Sequence, residues 1–484
     1  MEKDGLPPPF PLTADEAAFR LPPPSYEDIM GVYQTSIKEV EISRDIPTLA
    51  YIDLMPKCIS SGNIAGNVAP KFGDYSTLID AANRFLIDNP NMAIWKCESV
   101  TKKLSWDKKG TISYELNTMI RHEATFGFLV FIKGLRLWLT KDPNPRGPPQ
   151  QIGLKNIVPR KMSVEMPTRR GYYGGGKVTI DGEQYKMTNG FNQIEVLENL
   201  RDTMANMKET LENDPLPGTI LTIETDRIKA YDQFKSDLDP ESTSWSENKS
   251  RFRRFTQVIR IFYIKGTPAK EEIGYEEFVP EVCAVGDSLK PAQFEPFENL
   301  MTRLAYWVSA NKGQRIVNIQ QYDAIVNKYF HDVEVCSDST DDFISTFQEQ
   351  RFARTLRVFY TKSSAVRALP ANFITCRLFI PARTGPRTFE CMTQTMNRID
   401  AWLNVTGLPI FSVETVELLF NDHTPLGADC VKSDYKAQQL SGKHWITAIR
   451  VYFTTPFSEP NLDLLPPLPV YMTGGSKSKS CNIL

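Results

Sequence analysis

The sequence predicts an α+β chain of four tandem, divergent small domains. Each is a strand–helix–strand–strand unit with a mostly antiparallel sheet, and disordered arms flank the set. Three observations predict it. First, four short strands share one plan: GLRLWLTK (134–141), VIRIFYIK (258–265), TLRVFYTK (355–362) and AIRVYFTT (448–455). Each carries one arginine, Arg136, Arg260, Arg357 or Arg450. Second, four other strands run into a proline: YIDLMP to Pro56, MSVEMP to Pro167, YEEFVP to Pro280 and CRLFIP to Pro381. Third, Lys96, Glu224, Gln320 and Glu414, taken as markers in the strand after each helix, precede the arginines by 40, 36, 37 and 36 residues.

The elements follow in order. Residues 1–44 hold two proline clusters, Pro7-Pro8-Pro9 and Pro22-Pro23-Pro24, among acids and few apolar side chains. Such a segment buries too little to offset chain entropy, so it reads as a disordered arm with polyproline character. The repeats are expected over 45–142, 152–266, 272–364 and 370–456, and the linkers DPNPRGPPQQ, KGTPAKEE and KSSAVRALPAN fall between them. The helices are expected near Tyr75–Ile87, Asn192–Leu211, Phe294–Ala310 and Thr388–Leu403. In the last, Phe389, Met392, Met396, Ile399 and Leu403 recur at helical steps. The repeated arginine is expected to be part of the building block, at a sheet edge or covering its neighbours. A phosphate- or lipid-binding role is the lesser reading. Residues 457–484 read as a flexible tail.

Composition narrows the function. The net charge is −2, so no global basic field points to nucleic acid, and no specific nucleic acid is expected. Eight cysteines without a CxxC pair, and only four histidines, argue against zinc sites and a disulfide framework and fit a reducing compartment. No signal segment, myristoylation glycine or bilayer-length apolar run is read. No catalytic constellation is found either. GYYGGGKVTIDG (171–182) lacks the Gly-Lys-Ser/Thr ending of a phosphate loop and reads as a hairpin loop. Asp422, His423 and Cys430 read as a surface loop rather than a nucleophile pair. The chain is expected not to be an enzyme, with no cofactor and no metal.

The two ends carry more specific signals. Pro23-Pro24-Ser25-Tyr26 is a PPxY peptide. Its prolines fit an aromatic groove and its tyrosine fixes direction, so Pro23, Pro24 and Tyr26 are expected to bind a WW domain. Cys481-Asn482-Ile483-Leu484 has the CaaX form, and the final leucine favours a geranylgeranyl lipid on Cys481. Lys477 and Lys479 add about 1 kcal/mol each on an anionic leaflet. One lipid with two lysines makes a reversible anchor, and self-association would make it durable.

Together these parts resemble a viral matrix protein with a PPxY late domain. The fourth repeat, ITCRLFIPARTGPRTFECMTQTMNRIDAWLNVTGLPIFSVETVELLF and then HWITAIRVYFTT, is similar to the vesiculovirus-type rhabdovirus matrix fold. The resemblance implies a self-assembling peripheral protein on the cytoplasmic face of membranes, and in virions or released vesicles. It implies recruitment of WW-domain HECT ubiquitin ligases and, through them, the ESCRT machinery. Such a matrix protein would cover about one repeat and the arm, whereas this chain has four repeats and an acidic arm, and the prenyl signal stands in for basic membrane contact. The alternative is a non-assembling membrane adaptor for the same ligases.

Overall fold

The computed structural model describes residues 49–469, apart from 64–67, 107–111, 124–127, 142–146, 166–176, 181–182, 187–192, 231–237, 249–252, 285, 287–290, 330–331, 345–349, 363–372, 422–426 and 438–442. The described residues belong to one compact unit, Asp45–Leu484. They contain four α-helices and many antiparallel strands in small sheets, arranged as four repeats.

Each repeat begins with a leading strand: Ala50–Leu54, Ile152–Ile157, Glu272–Phe278 or Thr375–Phe379. A helix follows: α1 Tyr75–Asp88, α2 Leu200–Asn213, α3 Phe297–Ala310 and α4 Met392–Thr406. Then come an inner strand (Met92–Lys103, Gly218–Lys229, Arg315–Tyr329, Ile410–Leu419) and a central strand (Phe128–Lys141, Arg253–Lys265, Gln350–Lys362, Lys443–Phe453). The helices form because their apolar residues fall on one face. In α4, Met392, Met396, Ile399, Trp402 and Leu403 are buried, and Gly407, at φ 66°, ends the helix in the left-handed conformation that glycine adopts without penalty.

Several expected boundaries move. The segment 193–197 is strand, not the start of α2, and it pairs with Lys161–Glu165. Lys161–Glu165 is therefore not the leading strand of the second repeat, which is Ile152–Ile157, just before Pro159. The reason is pairing: Ile152–Ile157 has the long arginine strand to lie against. Phe389 lies in the short strand Thr388–Phe389, before α4 begins. Lys177–Ile180 pairs with Glu183–Lys186, while the glycine run 171–176, read as a hairpin loop, lies outside the described residues.

The inner strand takes one edge of the central strand. The other edge is shared. The leading strand covers about half of it, and a short strand from the next repeat covers the remainder. Ser244–Asn248 of repeat two pairs with the central strand of repeat one. Asp341–Ile344 of repeat three pairs with that of repeat two, and Asp434–Ala437 of repeat four with that of repeat three. Ile120–Glu123 of repeat one pairs with the central strand of repeat four. The exchange is cyclic, and it closes the four repeats into a ring.

The cores follow the same cycle. One cluster joins Leu135 and Leu137 to Phe262, across repeats one and two. Another joins Ile223 and Ile261 to Phe359, across two and three. A third joins Ile319 and Val358 to Tyr452, across three and four. The last joins Trp138 to Trp402 and Phe453, across four and one. Each repeat thus shares part of its core with both neighbours, while smaller clusters around Val130 and Ile132 and around Val416 and Ile446 lie within repeats one and four.

Helix starts are completed in the same way, since a helix leaves its first N–H groups without partners of its own. The N–H groups of Tyr75, Leu200, Phe297 and Met392 donate to carbonyls of Glu241, Asp338, Val431 and Asn117, each in the next repeat of the cycle. Side chains add a second bond at three of the four. Glu241 Oε2 accepts from Ser76 N at 2.8 Å, Asp338 Oδ1 from Arg201 N at 3.0 Å and Asn117 Oδ1 from Thr393 N at 2.9 Å. Val431 has no such oxygen to offer α3.

Candidate functional site

The four inner strands share a short motif: Ile94-Trp95-Lys96-Cys97-Glu98, Ile220-Leu221-Thr222-Ile223-Glu224, Ile316-Val317-Asn318-Ile319-Gln320 and Ile410-Phe411-Ser412-Val413-Glu414. In each, the pairing register shifts between the isoleucine and the third residue. A bulge re-aims the side chains beside it. The third residues, Lys96, Thr222, Asn318 and Ser412, are all buried. Lys96 Nζ donates to Asn318 Oδ1 at 2.6 Å and to Ser412 Oγ at 3.4 Å. It thus reaches the opposite repeat and an adjacent one, which places it at the centre of the ring. Burial lowers its pKa, and the carboxylates of Glu98, Glu414 and Glu224 oppose that shift.

The fifth residues bond across the junctions. Glu224 Oε2 accepts from Ser99 N at 3.0 Å, and Gln320 Oε1 from Thr225 N at 2.9 Å. Glu414 Oε2 accepts from Gln321 N at 2.8 Å, and Glu98 Oε1 from Thr415 N at 2.7 Å. Register pairs Glu98, Glu224, Gln320 and Glu414 with the four arginines. The equivalent position in repeat one is therefore Glu98, not the expected marker Lys96, and the shared Ile-x-x-x-Glu/Gln pattern is the signal that identifies it. Burial and the nearby Asp226 carboxylate push Glu224 up to about 7, against its bonds from Ser99.

The arginines are not at a sheet edge. Each lies on a central strand with partners on both sides, and each is almost wholly buried. Arg136 holds Asp53 through Nε (2.6 Å) and Nη2 (2.7 Å), while its Nη1 reaches Thr415 of repeat four at 2.8 Å. Arg260 holds Asp226 at 2.7 Å and lies 3.9 Å from the ring centre of Tyr75 in repeat one. Arg357 holds Glu277 and donates to Thr225 of repeat two at 2.7 Å. Arg450 pairs with Glu414 and donates to Gln321 of repeat three at 2.9 Å. These guanidiniums tie each repeat to the one before it. Buried and bonded in this way, they do not face a phosphate or lipid, which corrects the lesser reading above.

Pro23, Pro24, Tyr26, Lys477, Lys479 and Cys481 lie outside the described residues, as do Asp422 and His423. The structure does describe where the chain joins and leaves the ring. In repeat one the start of the leading strand pairs with the end of the central strand, Ala50 with Leu139. In repeat four Thr375 likewise pairs with Phe453. Leu49 and Phe453 sit in one buried cluster, and Phe457 and Leu465 pack against it. Both crossings are therefore at the same end of the ring.

After Phe453 the chain is pinned. Phe457 stacks edge-on against Trp402, with centroids 5.2 Å apart. Glu459 accepts from Trp402 Nε1 at 3.0 Å and pairs with Arg377 at 2.6 Å. Beyond it, Leu462, Leu464 and Leu468 are 69%, 63% and 53% exposed.

A recess of about 690 Å³ lies where repeat one meets α4, lined by Tyr114–Met119 and Phe389–Cys391. Among the described residues no group of three or more His, Cys, Asp or Glu side chains is placed to hold a metal ion. Among them, too, no helix is long and apolar enough to cross a membrane. No family model, no curated protein and no solved structure matches this chain.

Proposed function

We propose that this protein is a peripheral membrane scaffold of the matrix type, acting by recruitment rather than catalysis. Cys481, carrying a geranylgeranyl lipid and helped by Lys477 and Lys479, would hold it to the inner leaflet. Pro23, Pro24 and Tyr26 would bind a WW-domain HECT ubiquitin ligase and, through it, ESCRT. The observation that supports this reading most is the shared crossing. Leu49 and Phe453 lie in one cluster, so the described points nearest the PPxY-bearing and CaaX-bearing segments are at the same end of the ring. The test is vesicle release from cells making the full chain. Release should fall to a small fraction with Tyr26→Ala, and Cys481→Ser should lower both release and the share of protein at membranes, leaving a weaker residual binding. Unchanged release from both variants would sink the proposal.

One observation favours the adaptor reading. Each central strand already has its shared edge filled by a neighbour within the chain, so side-by-side association of repeats needs no second molecule. Electron microscopy of the lipidated chain on liposomes separates the two. A lattice or bent membrane supports the scaffold, and dispersed single rings support the adaptor.

A further inference from the structure

We propose that the end of the ring where the chain leaves is its membrane-contacting surface, and that Leu462, Leu464 and Leu468 insert into the bilayer interface. This rests on the membrane reading above and names the surface that carries it out. Large exposed side chains scattered singly need no explanation, but three in one seven-residue segment do. The segment is not a loose tail. Phe457, Glu459 and Leu465 fasten it to repeat four, while the three leucines point away from that core.

The same end carries two more exposed apolar residues. Each helix runs back toward the start of its inner strand, which pairs with the end of the central strand: Met92 with Lys141 and Ile410 with Phe453. The last turns of α1 and α4 therefore lie at the exit end, and Ile87 and Val405 are exposed there. They belong to repeats one and four, the two that meet at the exit.

The length of chain beyond this point selects a bilayer as the occupant. Cys481 follows Pro469 by twelve residues, a reach of at most about 40 Å. The central strand Lys443–Phe453 is itself 11 residues long, roughly 36 Å. A tail that ran back along it to bring the opposite end to the membrane would have almost nothing left for insertion. Asp463 lies between two of the leucines, so the contact is apolar insertion and does not require an anionic lipid. Lys477 and Lys479 supply the charge-dependent part separately.

The test uses the full chain, with and without the lipid, on vesicles of phosphatidylcholine with and without phosphatidylserine. Unlipidated Cys481→Ser protein should still bind pure phosphatidylcholine vesicles, insensitive to salt. Combining it with Leu462→Asp, Leu464→Asp and Leu468→Asp should weaken that binding on the order of a hundredfold. Thermal unfolding should not change, because these side chains are exposed. If the two unlipidated proteins bind alike while the lipidated wild type binds membranes, the leucine surface is overturned and the anchor stands. If the lipidated wild type also stays in solution, the membrane reading itself fails. A concentration-dependent dimer, lost in the triple aspartate variant and accompanied by no vesicle binding, would assign the leucines to a second copy and overturn the proposal.

Discussion

His122 and His444 stack ring on ring, 4.3 Å between centroids, directly opposite each other across the junction of repeats one and four. Consecutive repeats are joined by the chain at the other three junctions, whereas this one is held by non-covalent contacts alone. The matching positions elsewhere hold Val130 with Ser246, Arg254 with Phe343 and Arg351 with Lys436. A pair of imidazole rings thus sits at the closure and not at the matching positions of the other junctions. Burial, His122 and Arg387 lower the pKa of His444. Around the pair stand Arg121 and Glu123 on one strand, Lys443 on the other, Glu417 beside Arg121, and Lys103, whose ammonium bonds the His122 carbonyl at 2.6 Å. The folded ring favours the neutral imidazole, so its contribution is present above the unfolded value of about 6.5 and is lost as pH falls below it. Thermal unfolding followed against pH should show this loss. His122→Ser with His444→Val, copying the neighbouring junction, should remove it.

Glu224 predicts the opposite slope. Its pKa is raised, so its contribution is complete below about 4.5 and declines as pH rises through about 7. Gln320 fills the equivalent position and makes the same backbone contact without charge. Glu224→Gln should therefore stabilise the ring above neutral pH by roughly 1–3 kcal/mol and leave it little changed in acid. Denaturant unfolding at two pH values reads the difference. Equal stability of variant and wild type in alkaline buffer would show that Glu224 is not strained there.

Helix starts offer a gain and a loss. Asp338→Ala removes the side-chain bond to Arg201 N and should cost about 0.5–2 kcal/mol. Val431→Asn supplies α3 with the oxygen its three counterparts already receive, and should add about 0.5–1 kcal/mol. Calorimetry should show opposite shifts in Tm for the two variants.

The buried arginines should be costly to truncate. Arg357→Ala leaves Glu277 without its partner and removes the tie to Thr225, so a loss of about 3–5 kcal/mol is expected. Limited proteolysis should then cut first near the junction of repeats two and three.

Local pattern made the four repeats legible. Apolar spacing at helical steps and the repeated arginine strand need only neighbours in sequence, and α1 to α4 fall close to where those patterns lie. The ring was not legible, because it depends on pairing between distant residues. Its exchanged strands are only four or five residues long, and Ile120 finds its partner at Ile446. Short half-polar segments of that kind have no distinctive period. The burial of Arg136 and its counterparts was hidden for the same reason: a strand shows which side chains share a face, but not that another repeat covers it. Lys96 and Glu98 lie two residues apart on one strand, and the spacing to the arginine varies between repeats, so only comparison of the four Ile-x-x-x-Glu/Gln motifs separates them.

A ring of four separate identical chains would have exact rotational symmetry, and whatever side chain stood at the centre would meet three copies of itself. Four lysines there would repel one another in a medium that screens charge poorly. Linking the repeats in one polypeptide lifts that constraint. Lys96 stands once, Asn318 opposite receives it, and Thr222 and Ser412 complete the quartet. The same freedom reaches the rim, where the last repeat is followed by the leucine segment. Covalent fusion gives a four-part ring a front and a back.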